Sequence, residues 1–286
     1  MPIALLPDRA VVTVTGEPAT SFLQGILTCN VETLPEGEAR LGALLTPQGK
    51  IQFDFLVSRA GPEAFRLDVA AEQVPALVKR LTLYKLRAKV TIAVDPSQGV
   101  GAAWDGAETS AEVPRFADGR LSQLGVRLYF SEGAFSADAT EQYYHAHRIA
   151  LGVPEGGRDF AFGDAFPHEA LMDQIGGVDF RKGCYVGQEV VSRMQHRGTA
   201  RTRIVPLVYS DGEAAPAGSE VTAGQKNLGT TGSAAGGRGL AAIRLDRLGD
   251  ALATGEPVRA GGLLAGVEKP AFATFAFPAD AAAAAG

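Results

Sequence analysis

The stretch Arg181-Lys182-Gly183-Cys184-Tyr185-Val186-Gly187-Gln188-Glu189 sets a cation, a thiol, two glycines and an amide–acid pair side by side. Downstream, Val190, Val191 and Met194 recur at i, i+1 and i+4, which predicts a helix over 190–197 that stops at Gly198. The quoted residues therefore lead into a helix N-terminus, whose free N–H groups and positive dipole end favour an anion or a thiolate. Cys184, two residues from Lys182, is a candidate reactive thiol of lowered pKa. The alternative is a small buried apolar residue. Between 181 and 203, Arg181, Lys182, Arg193, Arg197, Arg201 and Arg203 stand against one carboxylate, Glu189, in a chain of net charge −5. Such a local excess suits an anionic partner or a solvated helix face.

Working outward, Pro167-His168-Glu169-Ala170-Leu171-Met172-Asp173 and Gly176-Gly177-Val178-Asp179-Phe180 precede Lys182-Gly183-Cys184-Tyr185-Val186-Gly187-Gln188-Glu189. Together they resemble the signature of the YgfZ-like proteins, tetrahydrofolate-binding iron–sulfur cluster assembly or repair factors related in fold to the glycine cleavage aminomethyltransferase, the T-protein. Further matches are Ser21-Phe22-Leu23-Gln24-Gly25, Leu45-Thr46-Pro47-Gln48-Gly49-Lys50, Leu83-Tyr84-Lys85-Leu86-Arg87 and Arg148-Ile149-Ala150-Leu151-Gly152-Val153-Pro154-Glu155. The resemblance implies an α+β fold of the T-protein type: a discontinuous folate-binding domain (1–40 with 133–200), a second α+β domain (41–132) and a small C-terminal β-barrel (201–286). It also implies a bacterial protein with a reduced folate as cofactor and iron–sulfur client or assembly proteins as partners. Cys184 is then the functional thiol. Glu169, Lys182, Tyr185, Gln188, Arg201 and Gln24 line the folate site, and Cys29 lies at the end of the helix that faces it.

A reduced pterin presents a ring N–H beside an amino group, a donor pair that one carboxylate accepts in bidentate fashion. Glu169 matches the place of the family's pterin-binding Glu; the competing role is a helix-capping one. Arg201 and Arg203 suit the carboxylates of the folate tail, while Gln188 and Glu189 alternatively brace the first helical turn. A second function is aminomethyl transfer to tetrahydrofolate. In Gly49-Lys50-Ile51-Gln52-Phe53-Asp54 one glycine and one aspartate of the T-protein pattern are missing, so only Asp54 remains to manage a proton there. That departure favours the assembly reading. A third reading, RNA binding through the basic stretch, ranks last for want of an aromatic–basic motif in an acidic chain.

At 286 residues the chain exceeds a typical single domain, and no apolar run approaches a membrane span. The start lacks the basic and apolar regions of a signal peptide, so the cytoplasm is the expected location, with Cys29 and Cys184 as free thiols. No bound metal is expected: His145 and His147 point apart on a helix, and no paired-cysteine spacing occurs. Residues 11–16, 39–46, 50–58, 65–69 and 89–94 read as strands, with helices after Pro18 and Pro75; 95–119 reads as loop-rich, 121–130 as one more strand. Asp138 and Glu141 suggest a cap for a helix running to Gly152. Short strands at 203–209, 219–223, 240–245 and 257–260 suggest a small barrel or sandwich, and the glycines from 229 to 239 lack the context of a nucleotide loop.

Overall fold

Period-two alternation builds the first part of the chain into sheet: in Ile51-Gln52-Phe53-Asp54-Phe55, the odd positions are buried and the even ones half-exposed. The computed structural model describes residues 2–106, 113–131, 133–134, 136–198 and 200–278; the tail from 279 to 286, expected to fray, lies outside them. The elements run β1 (Ile3–Leu5), β2 (Arg9–Thr15), α1 (Ala19–Gln24), β3 (Glu38–Leu45), β4 (Ile51–Gly61), β5 (Ala64–Ala70), α2 (Val74–Lys85), β6 (Thr91–Val94), β7 (Gln98–Ala103), β8 (Arg115–Asp118) and β9 (Val126–Ser131). These strands form one nine-stranded sheet, β1-β7-β9-β8-β3-β4-β5-β2-β6, antiparallel except where β3 meets β8. Leu23 and Leu27 around α1, and Leu77 and Leu81 of α2, close over Val12, Val14, Phe53, Phe55, Phe65 and Leu67 to make its core.

Contacts divide the chain into two compact units, 1–144 with 175–190 and 145–174 with 191–286, whereas the sequence reading drew three ranges. The boundaries fall inside α3 (Glu141–Leu151) and α4 (Gln188–Arg197). The second unit holds β10 (Thr202–Tyr209), β11 (Glu220–Ala223), β12 (Lys226–Ala235), β13 (Arg238–Arg244), α5 (Leu245–Thr254), β14 (Val258–Ala260) and β15 (Leu263–Val267). Its six strands close into a barrel, β10-β13-β12-β11-β14-β15, filled by Val205, Leu207, Val221, Leu228 and Ile243. The architecture is therefore α+β with a C-terminal barrel, as expected.

Three local readings are corrected. The loop-rich stretch contains β7 and β8: Gln98-Gly99-Val100-Gly101-Ala102-Ala103 has weak strand propensity, but it is paired on both sides, by β1 and β9. Gly99 is needed there because a Cβ would meet the Phe130 ring at 2.7 Å. The cap of α3 comes from Thr140, whose Oγ1 accepts from Tyr143 N at 3.2 Å, while Asp138 accepts from the Ile3 amide instead. Helix α5, absent from the sequence reading, was legible in Leu245, Leu248 and Leu252 before Gly255, which caps it at φ 69°. The glycine run is strand and hairpin: a Cβ on Gly229 would reach Ala242 O at 1.8 Å, so only glycine permits this β12–β13 approach.

Candidate functional site

In the first unit the loop 176–187 is fastened to the segment that follows α1. Asp179 turns the loop: its Oδ1 accepts from Arg181 N at 2.7 Å and Lys182 N at 3.2 Å, an Asx-type turn, and its Oδ2 accepts from Asn30 Nδ2 at 3.2 Å. Burial pushes the Asp179 carboxyl up, but these donors and Arg181 outweigh it and hold the group below its ordinary value. Thr28, buried, donates its hydroxyl to Gly177 O at 2.6 Å and accepts from Ala43 N at 2.9 Å. Neither Asp179 nor Thr28 was singled out from sequence. For Asp179 the signal was there, an Asp two residues before the Arg-Lys pair; for Thr28 there was none.

Lys182 completes the fastening. Its ammonium donates to Gln24 O at 2.7 Å, Leu27 O at 2.6 Å and Cys29 O at 2.9 Å, so three protons meet three carbonyls left open past the end of α1. Burial lowers its pKa. The Tyr185 ring lies beneath the ammonium at 5.3 Å, and burial, followed by the Asp179 charge, pushes the phenol up to about 12. Gln188 reaches back so that its Oε1 accepts from the Tyr185 amide at 3.1 Å, the bracing role, and Gln24 Oε1 accepts from Val31 N at 2.9 Å. Gly187, at φ 79°, lies against the β3–β4 turn; a Cβ there would meet Thr46 O at 2.5 Å. Three segments distant in sequence, those of Gln24, Gly49 and Lys182, thus meet in one place.

Within this frame Cys184 is exposed and unpaired, four residues ahead of α4, and so is not a small buried apolar residue. The buried thiol is Cys29, which burial pushes up to about 11. Its sulfur occupies the space over Gly42, where a Cβ would come within 2.6 Å. Asp54 sits half-buried in β4 opposite Ala43.

In the second unit Glu169 accepts from Phe166 N through Oε2 at 2.8 Å, a turn-capping bond; its Oε1 has no partner among the described residues. Its backbone carbonyl accepts from Ile204 N at 2.9 Å, which sets it beside β10. Arg203 is buried and engaged with Asp173 Oδ1 at 2.6 Å and His168 O at 2.7 Å, its guanidinium over the Phe275 ring. Arg201 is exposed. Of the two arginines suggested for a folate tail, only Arg201 therefore offers an open guanidinium.

The sheet architecture and the closed barrel define an aminomethyltransferase-like fold. The glycine cleavage system aminomethyltransferase T from Bartonella henselae superposes with a TM-score of 0.73 over 95% of this chain and 86% of its own, at 16% identity, a likeness of fold. Residues 201–275 match the C-terminal β-barrel domain of CAF17. A relative from Pyricularia oryzae is 33% identical over 89% of this chain and 75% of its own length, and the human one 30% over 85% and 77%. Both are named as mitochondrial iron–sulfur cluster assembly factor IBA57 or its homologue. The chain belongs to this IBA57 family. It spans only 54% of a Neurospora crassa relative, 32% identical, and 60% of one from Chaetomium globosum. These relatives are fungal and human, where the sequence resemblance pointed to a bacterial protein.

Proposed function

We propose that the protein assists assembly or repair of iron–sulfur clusters in client enzymes, with Cys184 as its working thiol and tetrahydrofolate or another reduced folate as its ligand. The observation that carries the reading is an exposed cysteine on a loop held by three ammonium–carbonyl bonds. A rigid loop presents the sulfur in one geometry, which suits a thiol that must meet a cluster or a persulfide on another protein. The IBA57 relatives support the same assignment through their names. The partners are then iron–sulfur client or assembly proteins, met in the reducing cytoplasm where the unpaired Cys29 and Cys184 persist.

Glu169 fits the pterin. Its Oε1 is open and its Oε2, which accepts one amide, keeps a second lone pair, so the carboxylate retains room for a donor pair. Arg201 is the open cation for the tail. The folate, when bound, supplies a one-carbon acceptor; Glu169 orients its ring and Arg201 holds its acidic end. Lys182 serves the loop, its three protons going to backbone carbonyls, whereas Gln24 and Gln188 brace it through Oε1 alone and keep their Nε2 donors for the folate.

The test combines two measurements. Cells lacking the protein are complemented with wild type or Cys184→Ser, and a cluster-dependent enzyme is assayed; the purified protein is titrated calorimetrically with tetrahydrofolate beside Glu169→Ala. Loss of enzyme activity with Cys184→Ser at normal protein level, and weakening of about tenfold or more with Glu169→Ala, are expected. Full complementation would remove the thiol role, and unchanged affinity would remove the pterin anchor. Robust aminomethyl transfer by the purified protein would establish the transferase function instead.

A further inference from the structure

Helix α2 buries Val74, Leu77 and Leu81, at i, i+3 and i+7 of one face. Leu83, two residues past Leu81, points roughly 200° away from that face and is 60% exposed; Leu86, just past the helix, is 85% exposed. Among the described large apolar side chains these two are the most exposed, and they stand three residues apart. Leu86 has φ 45° and ψ −103°, and Ala88 N donates to Lys85 O at 2.6 Å. This is the second position of a type II′ turn, where glycine dominates because a Cβ is strained there. The turn is further tied by Lys85 Nζ to Val90 O at 3.1 Å. A leucine in a glycine position, aimed into water, serves the isolated chain neither by conformation nor by burial.

The charges around it are one-sided. From 74 to 94 the chain carries Lys79, Arg80, Lys85, Arg87 and Lys89 and no Asp or Glu, in a protein whose net charge is −5. Among the described residues Lys79, Arg80, Arg87 and Lys89 make no ion pair and no side-chain hydrogen bond. Lys79 and Arg80 share the outer face with Leu83, four and three residues away, and Arg87 and Lys89 follow Leu86.

We propose that the end of α2 with the 85–88 turn is a docking surface for a protein partner that presents carboxylates around an apolar pocket, with Leu86 entering the pocket. An apolar centre ringed by unpaired cations matches the anatomy of such interfaces, in which a central anchor supplies affinity and the charged rim supplies steering. A nucleic acid would use stacking rings between the cations, and the only ring on this stretch, Tyr84, packs against the core.

The test places a photo-crosslinking benzoylphenylalanine at Leu86 of the full chain, with the same residue at exposed Leu252 as control, and identifies adducts from irradiated cells by mass spectrometry. The identified protein is then purified and titrated against wild type, Leu86→Gly and Arg87→Glu/Lys89→Glu. The expected result is one acidic protein crosslinked from 86 and not from 252. Its affinity should fall about tenfold or more with either variant, and with salt, while Leu86→Gly, relieved of turn strain, melts at a temperature no lower than wild type. RNA as the adduct, binding to phosphatidylserine vesicles in place of a protein, an adduct pattern identical at 86 and 252, or undiminished affinity in Leu86→Gly would each overturn the proposal.

Discussion

The Lys182 ammonium donates to the Leu27 carbonyl oxygen at 2.6 Å across 155 positions of sequence, and with the Gln24 and Cys29 carbonyls it ties the Cys184 loop to the end of α1. Lys182→Met leaves three carbonyls unpaired and should lower stability by about 1–3 kcal/mol. Arginine should not rescue it, since a planar fork cannot reach three convergent acceptors as an ammonium does. Urea denaturation, with amide exchange of residues 24–31 rising in both variants, checks this; wild-type behaviour of Lys182→Arg would show that charge alone suffices.

The two thiols should differ widely in reactivity. Cys184 is exposed, whereas Cys29 is buried with a pKa raised to about 11, so at pH 8 its thiolate is scarce as well as shielded. Iodoacetamide should add one carbamidomethyl group to the native wild type, none to Cys184→Ser, and two to the wild type only in denaturant, as read by intact mass.

Gly42 and Cys29 share one space. Gly42→Ala would bring a Cβ within 2.6 Å of the Cys29 sulfur and should cost about 1–3 kcal/mol. Combined with Cys29→Ala, much of that cost should vanish, giving a coupling of about 1 kcal/mol or more in a double-mutant cycle. Simple additivity would show that the backbone, not the sulfur, sets the penalty.

Acid should weaken the first unit through Asp118. Burial pushes this carboxyl up, but Arg120, bonded to both its oxygens at 2.9 and 2.7 Å, and Arg127 outweigh burial and hold it below its ordinary value. A folded pKa below the unfolded value of about 3.9 means that the contribution is complete above roughly pH 5 and is lost as pH falls through 4 and below. The melting temperature should therefore decline on that acid limb. Asp118→Asn should flatten part of the decline while costing about 3–5 kcal/mol at pH 7, because buried Arg120 loses the charge it is bonded to, although Arg127 retains that of Asp68.

Much of this was legible beforehand, for physical reasons that differ by element. Strands β2, β4 and β5 announce themselves through β-branched and aromatic residues, and α2 through Leu77, Leu81 and an initial proline, because each side of these elements meets a different environment. β7 does not, since its glycines and alanines become a strand only when β1 and β9 supply partners for the backbone. The site divides similarly. Cys184, Glu169 and Gln188 stand out by residue type and spacing. Thr28 does not, because what it does depends on Ala43 and Gly177, and Asp179 does so only in part, since its local turn bonds to 181 and 182 are joined by one to Asn30, distant in sequence.

By itself the sequence determined the α+β class, a C-terminal run of short strands and the motif that carries Cys184, because periodicity and turn chemistry are local properties; closure of those strands into a barrel rather than a sandwich was decided by tertiary pairing. Tertiary structure alone decided which cysteine faces water and which lies over Gly42, and that Lys182 spends its three protons on backbone carbonyls. It also decided that Arg203 is engaged by Asp173 while Arg201 stays open. Burial and pairing are set by groups brought together from far along the chain, and no local pattern encodes which of two similar side chains will find its partner.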